Sequence, residues 1–216
     1  MKPLITLTAL TWLPCLAHAA ATVSYTYSVN TSIPDNSGIG LSNTQSISTP
    51  YAPIGEVNVQ LTLRGGWNGD MYAYLAHGDG FAVLLNRPGR YLNGLYGSGS
   101  SGLSVLFADT ALTDIHTAIP NSGVVAGFFQ PDARAIDPDN ALDSSARSAF
   151  LSSFNGQDAN GDWTLYVADV ASGDTAILES WTLTVTTVPE PSSVTLVALG
   201  MLALLRRKRE QPPTLA

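Results

Sequence analysis

Asn160-Gly161-Asp162-Trp163-Thr164-Leu165-Tyr166-Val167-Ala168-Asp169 and, a few residues later, Ser180-Trp181-Thr182-Leu183-Thr184-Val185 decide the fold. Both alternate. Trp163, Leu165 and Val167 fall on one face of the first segment, Trp181 and Leu183 on one face of the second. Side chains two apart on an extended chain share a face, so each segment reads as a strand with one buried side. Ser172-Gly173-Asp174 between them is turn chemistry.

Upstream the pattern repeats. Thr22 to Val29 alternates, and Leu41 to Ser48 does so more weakly. Glu56 to Leu63 is the cleanest run, with Val57, Val59, Leu61 and Leu63 on one face. Met71 to His77 and Phe81 to Leu85 flank the turn Gly78-Asp79-Gly80, and Leu103 to Phe107 forms a further strand. Gly65 to Asp70 reads as a loop, as does Asn86 to Gly102. Residues 108–146 mix Pro, Asp, Gly and Asn around one apolar patch, Val124 to Phe129, and Arg147 to Phe154 suits a short helical turn. Many short strands between turn signals, with almost no helical periodicity, predict an all-β, jelly-roll-like β-sandwich. Its core includes Val57, Val59, Leu61, Leu165, Val167, Trp181 and Leu183, with Trp163 beside them.

The ends are of a different kind. Lys2, an apolar run from Leu4 to Leu16 and the small-x-small site Ala17-His18-Ala19 read as a signal peptide over residues 1–20. Cys15, the chain's one cysteine, lies inside it behind Leu13-Pro14, which does not suit lipidation, so the exported domain has no disulfide. At the other end, Val188-Pro189-Glu190-Pro191-Ser192-Ser193 precedes an apolar run, Val194 to Leu205, and the basic cluster Arg206, Arg207, Lys208 and Arg209. A spanning helix needs about 20 apolar residues, so this run is a short or transient anchor. The basic cluster stays cytoplasmic and the domain faces outward.

Between these signals, residues 22–187 form one domain. They carry five arginines, no lysine and fifteen acidic residues, a formal charge of −10 against −7 for the whole chain. An acidic, lysine-free surface repels phosphate backbones and excludes nucleic-acid binding. It tolerates cations, neutral glycans and basic partners.

Few residues suggest chemistry. His77 and His116 are the only histidines after the signal, and neither sits in a Gly-x-Ser-x-Gly frame. On a strand, Asp114 and His116 would share a face, but nothing singles out a serine to complete a triad. Zinc lacks ligands, and no two carboxylates stand out as a glycosidase pair. Calcium is the one candidate cofactor: Asp158, Asn160 and Asp162 set three side-chain oxygens at alternate positions on a sharp turn. The same residues also make a plain turn, and Asp70, Asp169 and Asp174 are further oxygen donors in turn-like places. Trp67, in its Gly-rich loop, suits either stacking on a sugar or partner, or packing over a sheet end.

Two resemblances extend this reading. The Val188 to Arg209 segment resembles the PEP-CTERM sorting signal, whose Pro-Glu-Pro motif, here Pro189-Glu190-Pro191, is recognised and processed by an exosortase membrane enzyme. The strands from Ile33 to Val185, above all Asn160-Gly161-Asp162-Trp163-Thr164-Leu165, resemble the P domain of subtilisin-type proprotein convertases, a jelly-roll-like sandwich that accompanies a protease domain. No protease domain fits in this chain. The resemblances imply an exported protein, transiently anchored in the cytoplasmic membrane and then carried on the cell surface or in the extracellular matrix. Its expected role is non-enzymatic: structural, adhesive or interacting with extracellular polysaccharide or surface proteins. The alternative is an exported hydrolase, protease- or glycan-directed, with its site in residues 86–150.

Overall fold

The computed structural model describes residues 20–49, 53–188 and 200–202. The signal peptide reading, Pro189, Glu190, Pro191, the basic cluster Arg206 to Arg209 and the 210–216 tail lie outside the described residues. The chain divides into two units, and Ala20–Val188 is one of them. Of the other, Gly200 to Leu202 are described and are helical.

Alternation becomes strand throughout Ala20–Val188. The strands are β1 (Ala21–Ser32), β2 (Leu41–Ile47), β3 (Ile54–Trp67), β4 (Met71–His77), β5 (Gly80–Asn86), β6 (Ser101–Phe107), β7 (Val125–Phe129), β8 (Gly161–Asp169) and β9 (Ala176–Thr187). Two sheets form: β1-β9-β3-β6-β7 and β2-β8-β4-β5. Every pairing is antiparallel except β6 with β7, which is parallel. The last two strands are therefore interior ones: β8 lies between β2 and β4, and β9 between β1 and β3.

The two inner faces meet in one core. Val57, Val59, Leu61, Leu165, Val167, Trp181 and Leu183 are all buried there, as the alternation requires, and so is Trp163. Burying side chains of this size contributes about 1.5–3 kcal/mol each, and a one-residue slip would expose a whole row. Trp181 ties the layers together: it stands on β9, donates from Nε1 to Asn43 Oδ1 on β2 at 2.9 Å, and packs 4.8 Å from the Tyr27 ring.

Two expectations are corrected. The loop read at Gly65 to Asp70 is mostly strand: β3 continues to Trp67, and only Asn68–Asp70 forms a 3-10 turn. Gly65 and Gly66 make this possible as a bulge, with φ of 71° and 67°. A Cβ on Gly66 would stand 2.7 Å from the Ala176 Cβ, so the close approach of β9 also requires glycine. Trp67 thus ends a strand, 48% exposed, instead of sitting in a loop. Within the Val124 to Phe129 patch, Val125–Phe129 forms the edge strand β7. The helical turn expected over Arg147 to Phe154 occupies only Leu151–Phe154.

Candidate functional site

Apart from β6 and β7, residues 87–150 form an excursion outside the sheets, and its last part returns along β5, where Val83 N–H donates to the Ala149 carbonyl and Ala133 N–H to the Val83 carbonyl. A segment this polar can be buried only if its charges find partners. They do so around Asp132, which is fully buried. Its Oδ2 accepts from the Asn86 amide (3.1 Å) and meets His116 Nδ1 (2.8 Å), while Oδ1 accepts from Arg134 Nη1 (3.1 Å). The Arg134 guanidinium also forks onto Asp114, with Nη2 to Oδ2 at 2.9 Å, and reaches the Asp143 carbonyl. Arg147 donates to the carbonyls of Asp132 and Pro131 and lies over the Phe150 ring. Desolvation opposes the charge on Arg134, but Asp114 and Asp132 outweigh it and hold its pKa above the ordinary value. At the centre, Ala133 is held at φ 59°, a left-handed conformation uncommon for a residue with a side chain.

Asp114 and His116 are not on a strand. Asp114 caps α1 (Ile115–Ala118), its Oδ1 accepting from the His116 amide, so the two side chains part company. The acid beside the His116 ring is Asp132. The other ring nitrogen, Nε2, meets the Arg90 carbonyl at 2.9 Å. Both partners are acceptors, so both bonds form together only when the ring carries two protons. A general base needs Nε2 turned toward a nucleophile. The nearby Ser98 hydroxyl is instead engaged with Ser100 Oγ and the Pro120 carbonyl.

Above this network lies an open cleft of about 500 Å³, lined by Arg90, Tyr91, Tyr96, Ser98, Asn121 and Asp143 among others. A second, of about 340 Å³, is lined by Tyr72, Tyr166, Asn36, Asp137 and Asp139 among others.

The turn singled out for calcium is held from within the fold. Asp158 Oδ1 accepts from the Asn160 amide and side chain, and Asn160 Oδ1 accepts from the Thr49 amide at 2.5 Å. The ring of His77 meets the carbonyls of Asp158 (2.7 Å) and Asp162 (2.9 Å) and stacks parallel on Trp163 at 4.0 Å. Among the described residues no group of three or more His, Cys, Asp or Glu side chains is placed to hold a metal ion.

Asp70 and Asp169 do come together, where β8 runs alongside β4. Asp70 is salt-bridged to Arg87 (3.3 Å), yet burial outweighs that pair and raises its pKa. Asp169 is pushed up to about 6, first by burial and then by the neighbouring charges of Asp70, Asp35 and Asp174, against one lowering bond from the Ala171 amide. A carboxyl that folding makes harder to ionise contributes most stability below its ordinary pKa of 3.8, and that contribution is lost as pH rises through about 6. Melting curves between pH 4 and 7 should therefore show a fall in stability toward neutrality that is smaller in Asp169→Asn. An identical slope in both proteins would show that Asp169 is not the group responsible.

The buried charges of Asp132 and Arg134, and the half-buried Arg147 beside them, are what sequence reading passed over. One signal was present: in a domain with no lysine, four of five arginines, Arg87, Arg90, Arg134 and Arg147, fall within residues 87–150, among aspartates whose carboxylates match a guanidinium fork.

Comparison with known proteins agrees with the two resemblances. The family described as the proprotein convertase P-domain matches residues 130–185, which span Asp132, Arg134, β8 and most of β9. The PEP-CTERM protein-sorting motif matches residues 187–209, starting at the last residue of β9. No curated protein matches. Among solved structures, the serine protease of Aeromonas sobria is similar at 16% identity and a TM-score of 0.46, covering 79% of this chain and 28% of that one. The same protease in complex with its chaperone gives 17% identity and 0.45, covering 79% and 27%. This chain thus spans about a quarter of the length of those structures.

Proposed function

We propose that this chain is a non-enzymatic surface or matrix protein whose sandwich serves as a structural or interaction module, delivered by its tail and then released from it. The observation that carries the reading is the sorting motif at residues 187–209, which indicates export, a transient membrane anchor and recognition by an exosortase. The start of the motif overlaps the sandwich: Thr187 ends β9, and the Val188 amide is bonded to the Pro53 carbonyl at 2.9 Å. The engagement of His116 Nε2 by a backbone carbonyl supports the non-enzymatic part. The acidic, lysine-free surface favours neutral glycans or basic surface proteins as partners.

Mass spectrometry of the protein recovered from the cell surface tests the delivery step. The mature chain should end near Pro189-Glu190-Pro191, and peptides containing Arg206 to Ala216 in the released form would refute processing there. The Asp132–His116 pair beneath the larger cleft is the feature that favours the alternative, an exported hydrolase. Turnover of ester, peptide or glycan substrates that disappears in His116→Gln would decide for it.

A further inference from the structure

We infer that β1 is a docking edge for a second copy of this chain, the two β1 strands pairing antiparallel across a two-fold axis to join two sheets into one.

The sandwich protects its other flank. The outer edge of β5 is covered by the 132–149 segment, through bonds from the Asp132 and Ala133 amides to Leu84 and Val83 and from the Val83 amide to Ala149. The edge strand β7 has only five residues, and a bridge between Asp114 and Gln130 follows directly at its end. On the opposite flank β1 runs for 12 residues and, among the described residues, pairs on one side only, with β9. An edge strand leaves alternate N–H and C=O groups unpaired, and proteins commonly blunt such edges with charges, prolines, bulges or brevity. From Ala21 to Ser28 β1 has none of these, its first register shift coming between Ser28 and Thr31. β2, the edge of the other sheet on this flank, is charge-free as well, and Asp35 is the only charged residue between Ala20 and Thr49.

That distribution selects the partner. The domain carries a formal charge of −10, so two copies repel through most surfaces. Edge-to-edge contact at β1 brings no charged side chain against another. The exposed face of β1 also repeats what it already does with β9: Thr22, Ser24 and Thr26 bond hydroxyl to hydroxyl with Thr186, Thr184 and Thr182 at 2.8–2.9 Å. In a self-pair these even-numbered residues meet their own kind, because only registers matching even with even keep both cores on the same side of the joined sheet. The inference goes beyond the proposed function and stands whether or not the tail is cut.

The test uses the exported protein purified from producing cells. Sedimentation should give a concentration-dependent mass twice that of one chain, and hydrogen exchange should show the Thr22 to Ser28 amides protected more at high than at low concentration. Ser24→Lys/Thr26→Lys, which opposes like charges across the new edge, should weaken the dimer by about tenfold or more. Mixing it with Ser24→Glu/Thr26→Glu should restore association. A monomer at every concentration, exchange at Thr22 to Ser28 that ignores concentration, or a dimer indifferent to both charge variants would each overturn the inference. The exchange arm needs only the wild-type protein, so it decides even if a variant misfolds.

Discussion

Trp163→Ala should destabilise the sandwich by about 3–5 kcal/mol, a large share of the stability of a domain this size. The indole is fully buried, so truncation removes its transfer free energy and leaves a cavity in a core that relaxes only partly. Three further contacts go with it. Its Nε1 donates to the Ala159 carbonyl at 3.0 Å, Phe154 packs 5.0 Å from it, and the His77 ring lies stacked on its face. Losing the stack frees the ring that holds the carbonyls of Asp158 and Asp162, so the turn before β8 should loosen together with the core. Urea denaturation gives the magnitude, and hydrogen exchange at residues 158–162 reports the turn. A midpoint within experimental error of wild type would contradict the assignment of Trp163 to the core. Trp163→Phe should lose less, because most of the volume and the stacking face remain.

Asp132→Ala should cost a similar amount, about 3–5 kcal/mol, for an electrostatic reason. Removing one member of a buried ionic cluster leaves the others desolvated and unpaired. Here Arg134 would lose one of its two carboxylates, His116 Nδ1 its acceptor, and the Asn86 amide its only side-chain partner. Pairing Asp132→Ala with Arg134→Met should recover part of the loss, since no guanidinium is then left facing the site of a missing carboxylate, although Asp114 keeps only its 3.6 Å contact with Arg147. The measurement is a double-mutant cycle by denaturant unfolding. Strictly additive losses would mean that Asp132 and Arg134 act independently, which their 3.1 Å contact does not allow.

The sandwich could be read from the sequence because strand alternation is local. Each of β3, β8 and β9 carries its own period, and a buried face imposes that period on every second residue. The excursion could not be read this way. Asp132 meets Arg134 two residues on, but it also meets His116 and Asn86, 16 and 46 residues away, and nothing local announces those encounters. The fate of Asp114 shows the same limit. Two residues from a histidine, it looked like its partner, yet helix capping turned it toward Arg134 and Arg147 instead. Glycine misled in the other direction: Gly65 and Gly66 carry a loop's composition but serve a bulge that lets β3 run on. The tail was the most legible part, because its three components follow one another in the chain and need no fold to bring them together.

The central placement of β8 and β9 has a consequence for the order of events in export. Both sheets remain split until the final strands arrive, since β9 must enter between β1 and β3, and β8 between β2 and β4. A chain emerging N-terminus first therefore presents two half-sheets with gaps in them while most of its length is already outside. Only when Thr187 has crossed can β9 close its sheet, and the sorting motif begins at that same residue. A pause of the chain at the tail therefore falls where the last strand needed by either sheet has already passed, so both sheets can close at that point.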